Sequence, residues 1–117
     1  MITKNQILEA QKNWGNGIVK IGTLMNNNSD CIEFTTSFLN DMYDFKNGEI
    51  LFKPTKASKE QFRSKFEMAL SYFLGGENSY CSEDDGFAMK PWVEVEFINA
   101  GFIIEKNRAL AMGNYFF

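Results

Sequence analysis

The spacing of apolar residues changes once along the chain, from intervals of three and four to strict alternation after Gly86, and that change separates helices from strands. Thr3 followed by Gln6 is a capping box. Ile7, Trp14, Ile18, Ile21 and Met25 then mark one face of a first helix of about twenty residues. Gly15, Gly17 and Gly22 each weaken it by up to about 1 kcal/mol relative to Ala, so that either something packs closely there or the helix bends. Asn26-Asn27-Asn28 is a turn, and Ser29 or Asp30 can cap a second helix with Cys31, Phe34, Phe38 and Met42 on its apolar side. Tyr43-Asp44-Phe45 and Ile50-Leu51-Phe52 flank Asn47-Gly48, which predicts a short two-stranded ribbon because both turn residues accept positive φ. Pro54 ends the ribbon. Ser58 with Gln61 then predicts a capping box opening a third helix through Phe62, Phe66, Ala69, Leu70 and Phe73, closed by Gly75-Gly76.

Downstream, Val93, Val95 and Phe97 alternate with Glu94 and Glu96, the pattern of a half-buried strand. Asn99-Ala100-Gly101 predicts a turn, and Phe102–Ile104 and Arg108–Phe117 read as further antiparallel strand, with a bulge or turn at Lys106-Asn107. Residues 109–117 carry no charge, so an edge there would be bare, a hazard that proteins usually cover. A following strand is expected to be missing or supplied by another chain. Without a repeat, linker or low-complexity tract, residues 1–117 read as a single α+β domain, three N-terminal helices packed on a curved antiparallel sheet.

Composition narrows the chemistry. With 44% hydrophobic residues, twelve of them Phe, the chain can bury a core, and disorder is excluded. A net charge of -3 without a basic stripe excludes nucleic acid as a partner. There is no histidine, which removes imidazole catalysis and imidazole metal ligation together. Cys31 and Cys81 lack CxxC spacing and read as reduced structural thiols. The N-terminus has no apolar leader and no stretch reaches the roughly eighteen apolar residues of a membrane span, so no membrane is implied and the cytoplasm is the expected compartment.

Three helices against a curved sheet enclose a concavity, which the phenylalanines would make apolar, and a few oriented polar groups would act there. Pro54 fixes the backbone beside Thr55 and so aims its hydroxyl; the alternative is an ordinary turn residue. Tyr72, at the edge of the third apolar face, can bury its ring with a partner for its hydroxyl, or sit at the boundary. The acidic loop Ser79–Asp85 lacks EF-hand spacing and reads as solvated. Asp44, Glu83 and Asp84 are the candidate general bases if buried. Trp92 either packs in the core or lines the pocket.

FKPTKA (52–57), ALSYFLGG (69–76), EDDGFAMKPW (83–92) and ALAMGNYFF (109–117), in that order, resemble the iota-class carbonic anhydrases, a branch of the cone-shaped, SnoaL-like and ketosteroid-isomerase-like α+β barrels. Members often carry the label phosphoribosyl-AMP cyclohydrolase, a zinc reaction for which this chain has no ligand set. The resemblance implies metal-free hydration of carbon dioxide to bicarbonate, without cofactor, in a cytoplasmic homodimer. Thr55 and Tyr72 match the family's pocket hydroxyls, and Phe52, Trp92, Met112 and Tyr115 are the expected substrate-binding walls. The family continues past AMGNYFF with two strands, the last bearing a His-His-Ser-Ser motif, which this sequence lacks. The alternative is a non-catalytic module of the same fold that binds a small ligand or dimerises.

Overall fold

The computed structural model describes every residue from Met1 to Phe117. Three helices come first, α1 (Lys4–Thr23), α2 (Asn28–Met42) and α3 (Phe66–Leu74), and a two-stranded antiparallel sheet comes last, β1 (Glu96–Ile104) with β2 (Ala109–Phe116). This is an α+β chain with the predicted order of elements. It divides into two compact units, one formed by Met1–Lys20 with Trp92–Phe117, the other by Ile21–Pro91.

In the first unit the capping box forms as predicted. The Thr3 N–H donates to Gln6 Oε1 at 2.9 Å and the Gln6 N–H to Thr3 Oγ1 at 3.2 Å, satisfying two of the donors that a helix start leaves open. The apolar stripe of α1 meets the hairpin through Trp14, whose ring lies 6.0 Å from Phe97, 5.8 Å from Tyr115 and 6.1 Å from Phe117. Gln11 and Asn99 exchange amide hydrogen bonds of 2.8 and 2.9 Å beside this cluster. The Gly15 backbone approaches so closely that a Cβ there would stand 3.0 Å from Val95 Cβ, which explains a residue costly to the helix.

Two strand boundaries differ from the expectation: Val93–Val95 precede the ladder, and Asn99–Gly101 is a bulge inside β1 and not a turn. The chain reverses at Lys106-Asn107 as expected, where the Glu105 N–H donates to the Arg108 carbonyl at 2.8 Å. One extra residue at the bulge lets Phe97 and Phe102 both face the helix side although five positions separate them. The opposite face carries Ile98, Ile103, Leu110, Met112 and Phe116, all more than half exposed.

In the second unit, Phe73 is fully buried, stacked on Phe52 at 6.1 Å and edge-on to Phe38 and Phe87 at 6.4 Å each. A Cβ at Gly22 would meet the Lys90 carbonyl oxygen at 2.8 Å, the second of the close approaches anticipated along α1. Asn27, not Ser29 or Asp30, caps α2, accepting the Asp30 N–H at 3.2 Å.

One predicted element is absent and another starts later than expected. The ribbon around Asn47-Gly48 is replaced by a 3-10 turn at Phe45–Asn47, stabilised by Asn47 donating to both Asp44 carboxylate oxygens at 2.9 Å. Residues 50–52 pair elsewhere: the Ile50 N–H donates to Ser64 and the Arg63 N–H to Phe52, at 3.0 and 2.8 Å. The third helix begins at Phe66 and not at Ser58; the N–H groups of Ser58, Lys59 and Glu60 are engaged by the distant Glu83 carboxylate and not by a local capping box. Phe62, expected on the apolar helix face, is 71% exposed.

Candidate active site

Pro54 starts a tight turn closed by the Ala57 N–H donating to the Pro54 carbonyl at 3.2 Å, with Thr55 on its exposed corner. The next backbone N–H, that of Lys56, donates to the Tyr72 hydroxyl oxygen at 3.3 Å. Tyr72 is buried on α3, its ring stacked on Phe87 at 5.6 Å and met edge-on by Phe52 at 6.4 Å. The two predicted hydroxyls therefore belong to one locality, one exposed and one buried, joined through Lys56. A cavity of about 300 Å³ opens there, lined by Lys56, Tyr72, Glu83, Asp84, Asp85 and Phe87.

The acidic loop supplies three carboxylates to this cavity, and each is engaged. Glu83 accepts the N–H groups of Ser58 (2.7 Å), Lys59 (2.7 Å) and Glu60 (3.0 Å) and the Ser58 hydroxyl (3.1 Å). The Ser58 N–H bond, followed by that of Glu60, is the main reason its carboxyl falls from an ordinary 4.5 to about 2. Asp84 accepts both guanidinium arms of Arg63 at 2.8 Å, together with the Ser71 hydroxyl. Both side chains of that pair are fully shielded from solvent. Arg63 also donates to the carbonyls of Glu60 (2.7 Å) and Met68 (3.0 Å) and lies over the rings of Tyr72 and Tyr80, at 5.9 and 5.8 Å. The Asp84 hydrogen bonds raise the affinity of Arg63 for its proton, against burial. Asp85 pairs with Lys90 at 3.8 Å and remains largely in water.

Neither Glu83 nor Asp84 is thus a carboxylate poised as a general base, and Asp44, the third candidate, lies exposed at the 3-10 turn. No group of three or more His, Cys, Asp or Glu side chains is arranged to hold a metal ion. The one hydroxyl-bearing residue of the cavity wall is Tyr72. Its oxygen accepts the Lys56 N–H, and a phenol can donate as well as accept.

Of the predicted walls, Phe52 belongs to this unit and packs against Tyr72. Trp92, Met112 and Tyr115 belong to the other unit. There Trp92 meets Phe117 at 5.1 Å, Tyr115 stacks on Phe97 at 5.7 Å beside an apolar cavity of about 240 Å³, and Met112 is 79% exposed. Arg63 was not among the residues singled out from the sequence. The available signal was its type: it is one of only two arginines among twelve basic residues, and a guanidinium suits a buried bidentate contact where an ammonium does not.

Residues 5–117 match the sequence pattern of the family described as metal-independent carbonic anhydrase. A curated relative of that name from Nostoc sp. (strain PCC 7120) is 38% identical over 116 residues. The match covers 97% of this chain and 56% of the relative, so the chain spans little more than half of that protein's length. Among solved structures, an iota-carbonic anhydrase from a cyanobacterium, complexed with bicarbonate, is 37% identical and superposes with a TM-score of 0.90. That match covers 97% of this chain and 71% of the solved one.

Proposed function

Since the match over residues 5–117 makes this chain a member of the metal-independent carbonic anhydrase family, we propose that, as one domain, it catalyses the reversible hydration of carbon dioxide to bicarbonate without a metal ion. The observation that carries the reading beyond family membership is the Lys56 N–H bond to Tyr72. It ties the FKPTKA segment to the ALSYFLGG segment at a cavity, sixteen residues apart in sequence. In the proposed reaction a water oxygen bonds to the carbon of carbon dioxide, one C=O π pair moves onto oxygen, and the proton lost from water passes to solvent. The Tyr72 hydroxyl donates to the oxygen that gains charge, Thr55 orients the attacking water, and Phe52 and Phe87 hold the Tyr72 ring in place, while the rest of the cavity wall is charged and not, as expected, apolar. The cone-shaped barrel is part of this proposal.

Stopped-flow hydration of carbon dioxide in chelator, comparing the chain with Thr55→Ala and Tyr72→Phe, tests the reading. Catalysis above buffer that falls in both variants supports it, and no rate above buffer ends it. The second reading, a non-catalytic small-ligand or dimerisation module, is favoured by the five apolar residues exposed on one face of the β1–β2 hairpin. A homodimer joined through that face belongs to either reading, and sedimentation showing a monomer would remove it. Two free buried thiols, Cys31 and Cys81, support placement in the reducing cytoplasm.

A further inference from the structure

Three carboxylates border a cavity in which the proposed reaction generates an anion. Glu83 is compensated mainly by backbone N–H groups, with Arg63 at 3.9 Å, and Asp85 sits in water beside Lys90. Asp84 is different, because its side chain has no exposure and its charge is opposed by one cation alone, Arg63. We infer that Arg63 is a positioning residue of this site: clamped on Asp84 and lying against the Tyr72 ring, it cancels the buried carboxylate's charge so that the cavity can hold a small oxyanion at the Tyr72 hydroxyl. The inference rests on the carbonic anhydrase reading for the identity of that oxyanion, bicarbonate.

The geometry suits this role better than that of a simple brace. The two parallel N–H···O contacts occupy both Asp84 oxygens, and the Ser71 hydroxyl takes a further lone pair on one of them, so the carboxylate's accepting capacity is directed into the protein and away from the cavity. Ser71 is in turn fixed by accepting the Tyr80 N–H at 2.7 Å. Arg63 is itself held by the carbonyls of Glu60, three residues before it, and Met68, five residues after it. The remaining titratable groups around the pair are Lys56, Tyr72, Glu83 and Asp85 on the cavity wall, with Tyr80 and Cys81 beside the guanidinium. Lys56 is the one cation of the wall itself, and an exposed ammonium is screened by water in a way that the buried Arg63 guanidinium behind Asp84 is not.

The test compares the full chain with Arg63→Met and with the double variant Arg63→Met/Asp84→Asn, measuring binding of carbon-13 bicarbonate by NMR, hydration rate from pH 6 to 9, and thermal melting. Arg63→Met should weaken bicarbonate binding at least tenfold at pH 8. The double variant, in which a neutral pair replaces the ionic one, should bind within about threefold of the parent. Should Arg63→Met fail to fold, the double variant still decides, since a folded double variant that binds tenfold more weakly than the parent overturns the inference. Parental binding by a folded Arg63→Met overturns it too. If the parent binds bicarbonate in this pattern but does not hydrate carbon dioxide, the enzymatic reading falls and the role of Arg63 stands. If the parent hydrates carbon dioxide and Arg63→Met does so equally well, the reverse holds, and a parent that binds no bicarbonate removes both.

Discussion

Replacing Tyr72 by Phe deletes one oxygen and leaves the ring against Phe52, Phe73 and Phe87. The stability cost should be small. The lost bond to the Lys56 N–H is a neutral one at 3.3 Å, and Lys56 is exposed, so water can take over as acceptor. A neutral hydrogen bond contributes about 1 kcal/mol net. For a chain of 117 residues that corresponds to a fall of about 4 °C in Tm. Against a total stability of roughly 5–15 kcal/mol, the variant stays above about 99% folded at 25 °C. The effect on catalysis should be far larger, because removing a donor aimed at developing negative charge lowers kcat on the order of a hundredfold. Stopped-flow carbon dioxide hydration with indicator dye, run beside a thermal melt, separates the two effects. A variant that keeps half of the parental rate refutes the assignment of Tyr72. A fall in Tm well beyond 10 °C would instead show that the hydroxyl is a buried structural anchor.

Other outcomes follow from the same contacts. Glu83 has its carboxyl lowered to about 2, so it stabilises the fold fully above its ordinary 4.5 and loses that contribution as pH falls toward 2; the difference in urea midpoint between the parent and Glu83→Gln should therefore be level above pH 5 and shrink below it, and a difference that persists unchanged to pH 2 refutes the cause assigned. A Cβ at Gly113 would stand 2.2 Å from the Ile98 carbonyl oxygen and 2.7 Å from Asn99 Cα, both backbone, whereas at Gly101 it would meet nothing. Gly113→Ala should cost about 1–3 kcal/mol and Gly101→Ala almost nothing, read from urea unfolding. Phe73→Ala should cost about 3–5 kcal/mol and the exposed Phe62→Ala less than about 0.5, in the same assay.

The features legible in the sequence are those decided within a few residues. The Thr3–Gln6 box needs only its own turn of helix, Gly75 at the end of α3 adopts the positive φ anticipated for it, and the change to alternating residues marks the strands because side chains of a strand point to opposite faces. The absence of histidine likewise bounded the chemistry before any fold was known. The four ordered blocks identified the family, and Tyr72 as a residue whose hydroxyl needs a partner.

Where reading the sequence went astray, a group from far along the chain displaced a local partner. Ser58-x-x-Gln61 has the form of a helix start, yet Glu83 arrives from 25 residues away carrying a full negative charge, and a charged acceptor holding three N–H groups outcompetes a neutral Gln side chain. Asn47-Gly48 has the form of a hairpin, but Ile50 and Phe52 find their backbone partners at Ser64 and Arg63. The Arg63–Asp84 pair could not be read at all, since its 21-residue separation carries no periodicity, and only burial makes that pairing obligatory. Local propensity and side-chain alternation thus set the inventory of helices and strands. Tertiary packing, by choosing which polar groups leave water together, decided where those elements begin and what borders the cavity.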